Sequence, residues 1–328
     1  MFQQLPKVEL HLHLDCSLSF EVVKQLLPET TEADYQKDFV GPAKCNDLND
    51  YINKAIKSIE IMQTAEQLRL VTMDLFRQLK ADNVIYAEIR FAPLQHLQNG
   101  LSPIEVVATV NNACEAGIKA YGIEAGIILC TLRHYSETQS MQTVELVEAF
   151  KGTRVVGFDI AADEAGFPIN NHIKAFEFAQ SHHIRCTAHA GEAKGPESVW
   201  ETLQHFHPER IGHGVRSAED PQLLKHLKAH QIHLEVCPSS NIKINIFDTI
   251  ASHTANMIYE SGVSMSINTD GRGIANVTLT DEYNLMNKAF NWNIEQLKKC
   301  NLEAVAHAFT SEVIKAKLKQ QIEDAYVF

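Results

Sequence analysis

Eight short apolar runs, rich in β-branched residues, alternate along this chain with longer segments of helical spacing. The runs cover residues 8–14, 84–91, 123–131, 155–161, 184–189, 210–213, 232–237 and 263–269. Between them, stretches such as 64–80, 104–120 and 172–182 repeat apolar residues at intervals of three and four, the period of a helix with one buried face. Strands that alternate with helices build a parallel sheet covered on both faces. Eight such units predict a (β/α)8 barrel, which normally needs about 250 residues. The rest of the 328 residues is assigned to a helical insertion near 17–80, after the first run, and to terminal helices near 294–326. A doubly wound sheet is the competing architecture, but no GxGxxG or GxxxxGK[ST] turn follows an early run. With no Pro- or Ser-rich linker and no low-complexity tract, residues 1–328 read as a single domain.

Composition removes several function classes. A chain that is 45% apolar and 21% charged is too apolar for disorder, and no apolar run approaches the roughly 18 residues of a membrane span. The net charge of −12 opposes nonspecific nucleic-acid binding. Seven cysteines, an odd number without a CxxC, read as reduced thiols. The opening MFQQLPKVELHLHL lacks the pattern of a secretory signal, so a cytoplasmic location is expected.

Polar residues of metal-ligating type fall at the ends of the runs. His11 and His13 end the first, His189 ends the fifth in HAGE (189–192), His213 ends the sixth in IGHG (211–214), and Asp270 follows the eighth in INTD (267–270). In a barrel, the carboxyl ends of all strands open on one face, so residues far apart in sequence converge there. Residues i and i+2 of a strand share a face, which aims both His11 and His13 into the mouth. Together with Glu192, three residues after His189, this is a metal-site pattern. Imidazole plus carboxylate without thiolate suits Zn²⁺, Fe²⁺, Co²⁺ or Mn²⁺; zinc is preferred because it activates water without redox chemistry. A different zinc-deaminase pattern, HxE followed by PCxxC, is matched only by His233-Leu234-Glu235, since Pro238 follows Cys237 with no second cysteine. His233 and Glu235 are therefore assigned to packing or to the rim.

PKVELHLHLD (6–15), DIAADE (159–164), HAGE, IGHG, CPSSN (237–241) and SINTD (266–270), in that order, resemble the signature segments of the adenosine deaminase family within the amidohydrolase superfamily. The resemblance implies one Zn²⁺ per chain bound by His11, His13, His189 and Asp270. It implies that Glu192 protonates purine N1, that His213 orients the attacking water, and that Asp15 meets the ribose 5′-hydroxyl. Ser240 matches a serine beside the metal aspartate, and Ala162 stands where a glycine N–H approaches purine N3. Leu48 and Tyr51 fall in the segment that covers the ribose.

The residue types suit that chemistry. Replacing an aromatic amino group by water needs a strong nucleophile at neutral pH, which a divalent ion provides by lowering the pKa of water. Attack at C6 places negative charge on the ring, so an acid must stand at N1, and Glu192 needs a raised pKa to be that acid. Asp270 can take the water's proton, and His213 can stabilise the oxygen as it attacks. A two-metal hydrolase would want a lysine after the fourth strand, where this chain has Asp163 and Glu164; a structural role is favoured for both. The expected reaction is hydrolytic deamination of adenosine and 2′-deoxyadenosine to the inosine products and ammonia, in purine salvage.

Departures from the family pattern bear on the substrate. Gly271 replaces a second aspartate that meets purine N7, leaving water, Arg272 or nothing to serve. Ala162 replaces a glycine, Cys16 replaces the glycine after HLHLD and is read as packing, and Ala55 is small in a lid segment usually richer in aromatics. A 5′-modified adenine nucleoside such as 6-aminodeoxyfutalosine is the alternative substrate, followed by adenine or an N6-substituted purine. A non-catalytic purine-binding protein is disfavoured by the complete donor set. The expected partner is a small purine nucleoside, with no nucleic acid or membrane, and the default state is a monomer.

Overall fold

A computed structural model describes residues 2–327. All eight runs are strands: β1 (Lys7–His13), β2 (Val84–Phe91), β3 (Glu124–Leu132), β4 (Val155–Ala161), β5 (Thr187–Ala190), β6 (Arg210–His213), β7 (His233–Val236) and β8 (Met265–Ile267). Every ladder is parallel, in the orders β1-β2-β3-β4 and β5-β6-β7-β8. Two short bridges close these arcs into a ring, Phe158 with Cys186 and Leu12 with Asp270. The predicted (β/α)8 barrel is the observed fold.

The insertion after β1 carries five helices, α1 (Phe20–Leu26), α2 (Glu32–Asp38), α3 (Leu48–Ile52), α4 (Ala55–Glu60) and α5 (Ala65–Ala81). The outer ring continues with α6 (Pro103–Tyr121), α7 (Glu137–Ala149), α8 (Ile173–Ser181), α9 (Pro196–Phe206) and α10 (Pro221–Ala229). After β7 come α11 (Pro238–Lys243) and α12 (Ala255–Ser261), and after β8 come α13 (Arg272–Ala275), α14 (Leu279–Phe290), α15 (Ile294–His307) and α16 (Glu312–Ala325). Local sequence sets the limits of the long helices. Ser102 and Glu105 form a capping box at the start of α6, Pro103 occupies its first turn, and Gly122 ends it at φ +68°. Among the described residues, no helix is long and apolar enough to cross a membrane.

The barrel interior departs from the usual filling of branched aliphatic side chains. Arg90 reaches Asp159 at 2.8 Å and Glu235 at 2.7 Å, and Arg210 reaches Glu88 at 2.5 Å and Glu235 at 2.7 Å. All five side chains are buried. Buried charges persist only when paired and hydrogen-bonded, and here each carboxylate meets a guanidinium. Although burial works against the charge on Glu235, Arg90 and Arg210 hold its carboxyl well below the usual range. Glu235 is thus neither inert packing nor a rim residue: strand alternation shows which residues share a face, and in β7 that face is the barrel lumen. His233, between the Ser264 and Ser266 hydroxyls, is a packing residue as expected.

Candidate active site

The predicted residues converge at the carboxyl end of the barrel. β1 contributes His11 and His13, β5 His189 and β6 His213. Asp270 lies beyond β8 but is tied to β1 by its own backbone, donating to His11 O at 3.1 Å and accepting from His13 N at 2.7 Å. His213 and Asp270 take left-handed backbone at φ 60° and 66°, and Ala162 does so at 78°. Such conformations cost non-glycine residues energy and gather at functional sites.

The donors of His11, His189, His213 and Asp270 all lie within 4.8 Å of one another. His13 borders this group, with Nε2 at 3.2 Å from His189 Nε2 and 3.4 Å from Asp270 Oδ1. Five donor side chains therefore face one spot, the four expected ligands and His213. Partners behind the rings suit a metal. His11 Nδ1 meets Glu235 Oε2 at 2.8 Å and His189 Nδ1 meets Asp159 Oδ1 at 3.2 Å. A carboxylate behind an imidazole holds the proton on Nδ1 and turns the Nε2 lone pair toward an ion. His11 Nε2 is buried without a hydrogen-bond partner, an orphan that a cation would satisfy. Burial, with the neighbouring rings, lowers the pKa of His13, His189 and His213, favouring neutral imidazoles. Burial works to raise Asp270, but His11, His13 and His213 hold it well below its usual range, as a carboxylate. The residues present fit a divalent cation. Sequence reasoning missed Glu235, Asp159 and Arg90, which hold the His11 and His189 rings from beneath.

Glu192 stands on the loop after β5, its Oε1 at 3.4 Å from His213 Nε2. Burial, reinforced by the Asp270 and Glu164 carboxylates, pushes its carboxyl well above the usual range, the direction that favours the acid form. Glu164 fastens the loop, accepting the N–H groups of Gly191, Glu192 and Lys194 and the Ser198 hydroxyl at 2.5–3.0 Å. Asp163 accepts from the N–H groups of Ala165 and Gly166, closing a turn without capping a helix. Both acids have the structural role expected of them. Ser240 Oγ donates to Asp270 Oδ2 at 2.7 Å.

A cavity of about 750 Å³, counting its open mouth, leads down to these groups, within the roughly 300–1,000 Å³ range of small-molecule sites. Asp15, Leu48, Tyr51, Ala55 and Ala162 line it, joined by His134 and Gln95, which the sequence did not single out. Asp15 is pushed up to about 6 by burial, against hydrogen bonds from backbone N–H groups. Gly271 and Cys16 are packed as a pair: a Cβ at 271 would lie 2.7 Å from Cys16 Cβ and 3.4 Å from the Tyr51 hydroxyl. Cys16 fills the space that a side chain at 271 would need. Arg272 is removed as a stand-in for a residue at 271, because its guanidinium is buried against Glu9 at 2.6 Å and Asp82 at 3.0 Å.

A parallel barrel with this mouth defines a metal-dependent hydrolase. A sequence model described as adenosine deaminase matches residues 6–325, and the chain belongs to that family. It is a metal-dependent deaminase of purine-type substrates. Among curated relatives, it is similar to an adenosine deaminase of Clostridium acetobutylicum, 34% identical over 326 residues and 97% of each chain. Among solved structures, it is similar in fold to an adenine deaminase of Arthrobacter aurescens, with TM-score 0.90, 24% identity and 98% of each chain covered. An amidohydrolase of Burkholderia ambifaria with bound Zn superposes with TM-score 0.91 at 22% identity, over 99% of this chain and 91% of that one.

Proposed function

We propose that this protein catalyses the hydrolytic deamination of adenosine and 2′-deoxyadenosine to inosine and 2′-deoxyinosine, releasing ammonia, as a single-domain monomer. The observation that carries this reading is the buried Glu192 carboxyl set 3.4 Å from His213 beside the donor cluster, in one cavity. The relative of 34% identity is named for this activity. Asp15, buried in the cavity wall, suits a sugar hydroxyl, which free adenine lacks. The seven free cysteines accord with a cytoplasmic setting.

In this reading His11, His13, His189 and Asp270 hold one Zn²⁺ per chain, in keeping with the Zn-bound Burkholderia structure. The ion supplies Lewis acidity that makes water nucleophilic at neutral pH. Glu192 gives its proton to purine N1 as the oxygen adds to C6. Asp270 takes one proton from the water and delivers it to the departing amine, which leaves as ammonia, and the proton left on the C6 oxygen returns Glu192 to its acid form. His213 steadies the incoming oxygen, and the apolar lid of Leu48, Tyr51 and Ala55 excludes solvent. A 5′-modified adenine nucleoside is the second reading, favoured by small Ala55 and half-exposed Ile56 in the cavity wall.

The test is an ultraviolet assay of metal-analysed protein on adenosine, 2′-deoxyadenosine, adenine and 5′-substituted adenosines. Fastest turnover of the two unmodified nucleosides supports the proposal. An unchanged adenosine spectrum, with conversion of adenine or a 5′-substituted compound, overturns it.

A further inference from the structure

A neutral imidazole carries one proton, and the partner at one ring nitrogen decides what the other can do. Behind His11 and His189 that partner is a carboxylate. Behind His213 it is an amide: Asn241 Nδ2 lies 3.1 Å from His213 Nδ1. The orientation of this amide follows from a chain of contacts that begins at the backbone. The N–H of Ala255, which can only donate, meets His253 Nδ1 at 3.0 Å, so the proton of His253 lies on Nε2. That nitrogen is 3.2 Å from Asn241 Oδ1, so the amide oxygen accepts and its nitrogen faces His213. His213 Nδ1 must then accept. Asn241, His253 and His213 are all buried, and Phe247 packs on the His253 ring at 4.6 Å between centroids, which keeps water from competing along the chain.

We infer that Asn241 and His253 are positioning residues that hold the His213 proton on Nε2, making His213 a hydrogen-bond donor at the cavity and excluding it from the metal's ligands. The inference rests on the reading above that His213 faces the reacting water. It sorts three of the five crowded side chains by what lies behind them: His11 and His189 present lone pairs, whereas His213 presents N–H. It also sorts the proton work. An Nε2 that already carries hydrogen cannot take the water's proton, so that task falls to Asp270.

The test uses zinc-loaded, ¹⁵N-histidine-labelled protein, with the His213 ring signals identified by their loss in His213→Asn. Long-range ¹H–¹⁵N spectra of the wild type are expected to show His213 protonated on Nε2. In Asn241→Asp the carboxylate should draw the proton to Nδ1, and kcat on adenosine should fall about 10²- to 10³-fold, the loss typical of one transition-state donor, with KM and far-ultraviolet dichroism little changed. A wild-type proton on Nδ1 overturns the inference, as does a relocated proton in Asn241→Asp with kcat intact. If Asn241→Asp does not fold, the wild-type spectrum alone decides. If the wild type does not deaminate adenosine, the proposed function fails, while the spectrum still reports the proton's position.

Discussion

Glu164 Oε2 accepts the backbone N–H of Glu192 at 3.0 Å, so the loop after β4 holds the acid on the loop after β5. With Gly191, Lys194 and Ser198 on the same buried carboxylate, Glu164 positions a group it never touches through its side chain. Glu164→Gln turns one acceptor into a donor that faces N–H groups, at a stability cost of about 1–3 kcal/mol. The expected result is a fall in kcat of at least about tenfold, or ~1.4 kcal/mol, with bound metal unchanged by elemental analysis. A variant with normal kcat would remove Glu164 from this role.

Glu192→Gln keeps the shape of the side chain and removes the transferable proton. Turnover is expected to fall about 10²- to 10⁴-fold, the range for a general acid, with metal content retained. Steady-state kinetics beside metal analysis checks both halves; retained turnover would take Glu192 out of the mechanism.

Glu235→Gln strikes the metal site from beneath. The amide is a poorer acceptor for His11 Nδ1 and leaves Arg90 and Arg210 short of a counter-charge. Metal affinity is expected to drop about 10- to 100-fold, measurable by chelator competition, with some loss of thermal stability.

Glu282 gives a pH signature away from the cavity. Burial raises its carboxyl from 4.5 to about 8 while both oxygens face the Ser239 N–H. A raised folded-state pKa means that the native protein binds a proton which the unfolded chain releases between 4.5 and 8. The wild type therefore loses stability as pH climbs through that window and no more above it. Glu282→Gln, which keeps an acceptor for Ser239, should lack this loss. Its advantage in Tm should widen from pH 5 to pH 8 and then level off; a constant gap would contradict the assignment.

Ala162 holds φ at 78°, a glycine conformation in an alanine. Ala162→Gly is expected to stabilise the fold by up to about 1 kcal/mol, the left-handed strain relieved less the added chain entropy of glycine. Chemical denaturation checks this, and a loss of stability would show that the methyl packs usefully.

Much of this architecture is legible in the sequence because its strands are short, apolar and regularly spaced. Runs 84–91, 155–161 and 210–213 match β2, β4 and β6 residue for residue. The eighth run shrinks from 263–269 to Met265–Ile267 for a local reason: Asn268 Oδ1 accepts the N–H groups of Leu10 and His11 at 2.8 and 3.2 Å, so a side chain bridges to β1 before the Asp270 backbone resumes the pairing. Residues at strand ends were readable because position in a barrel implies direction. Glu235 and Arg90 were not, since alternation cannot tell lumen from wall. The pairing of Cys16 with Gly271 was also hidden, because it is a contact between residues at opposite ends of the chain.

The charged ladder inside the barrel has a consequence for redesign. Arg90 bridges the carboxylates behind His11 and His189, so one guanidinium below the floor steadies two prospective metal-holding rings at once. Cys16, Tyr51, Ala162 and Gly271 belong to the storey above and take no part in that foundation. Substrate preference can accordingly be recut in the upper walls while the plinth beneath the His11 and His189 rings stays untouched.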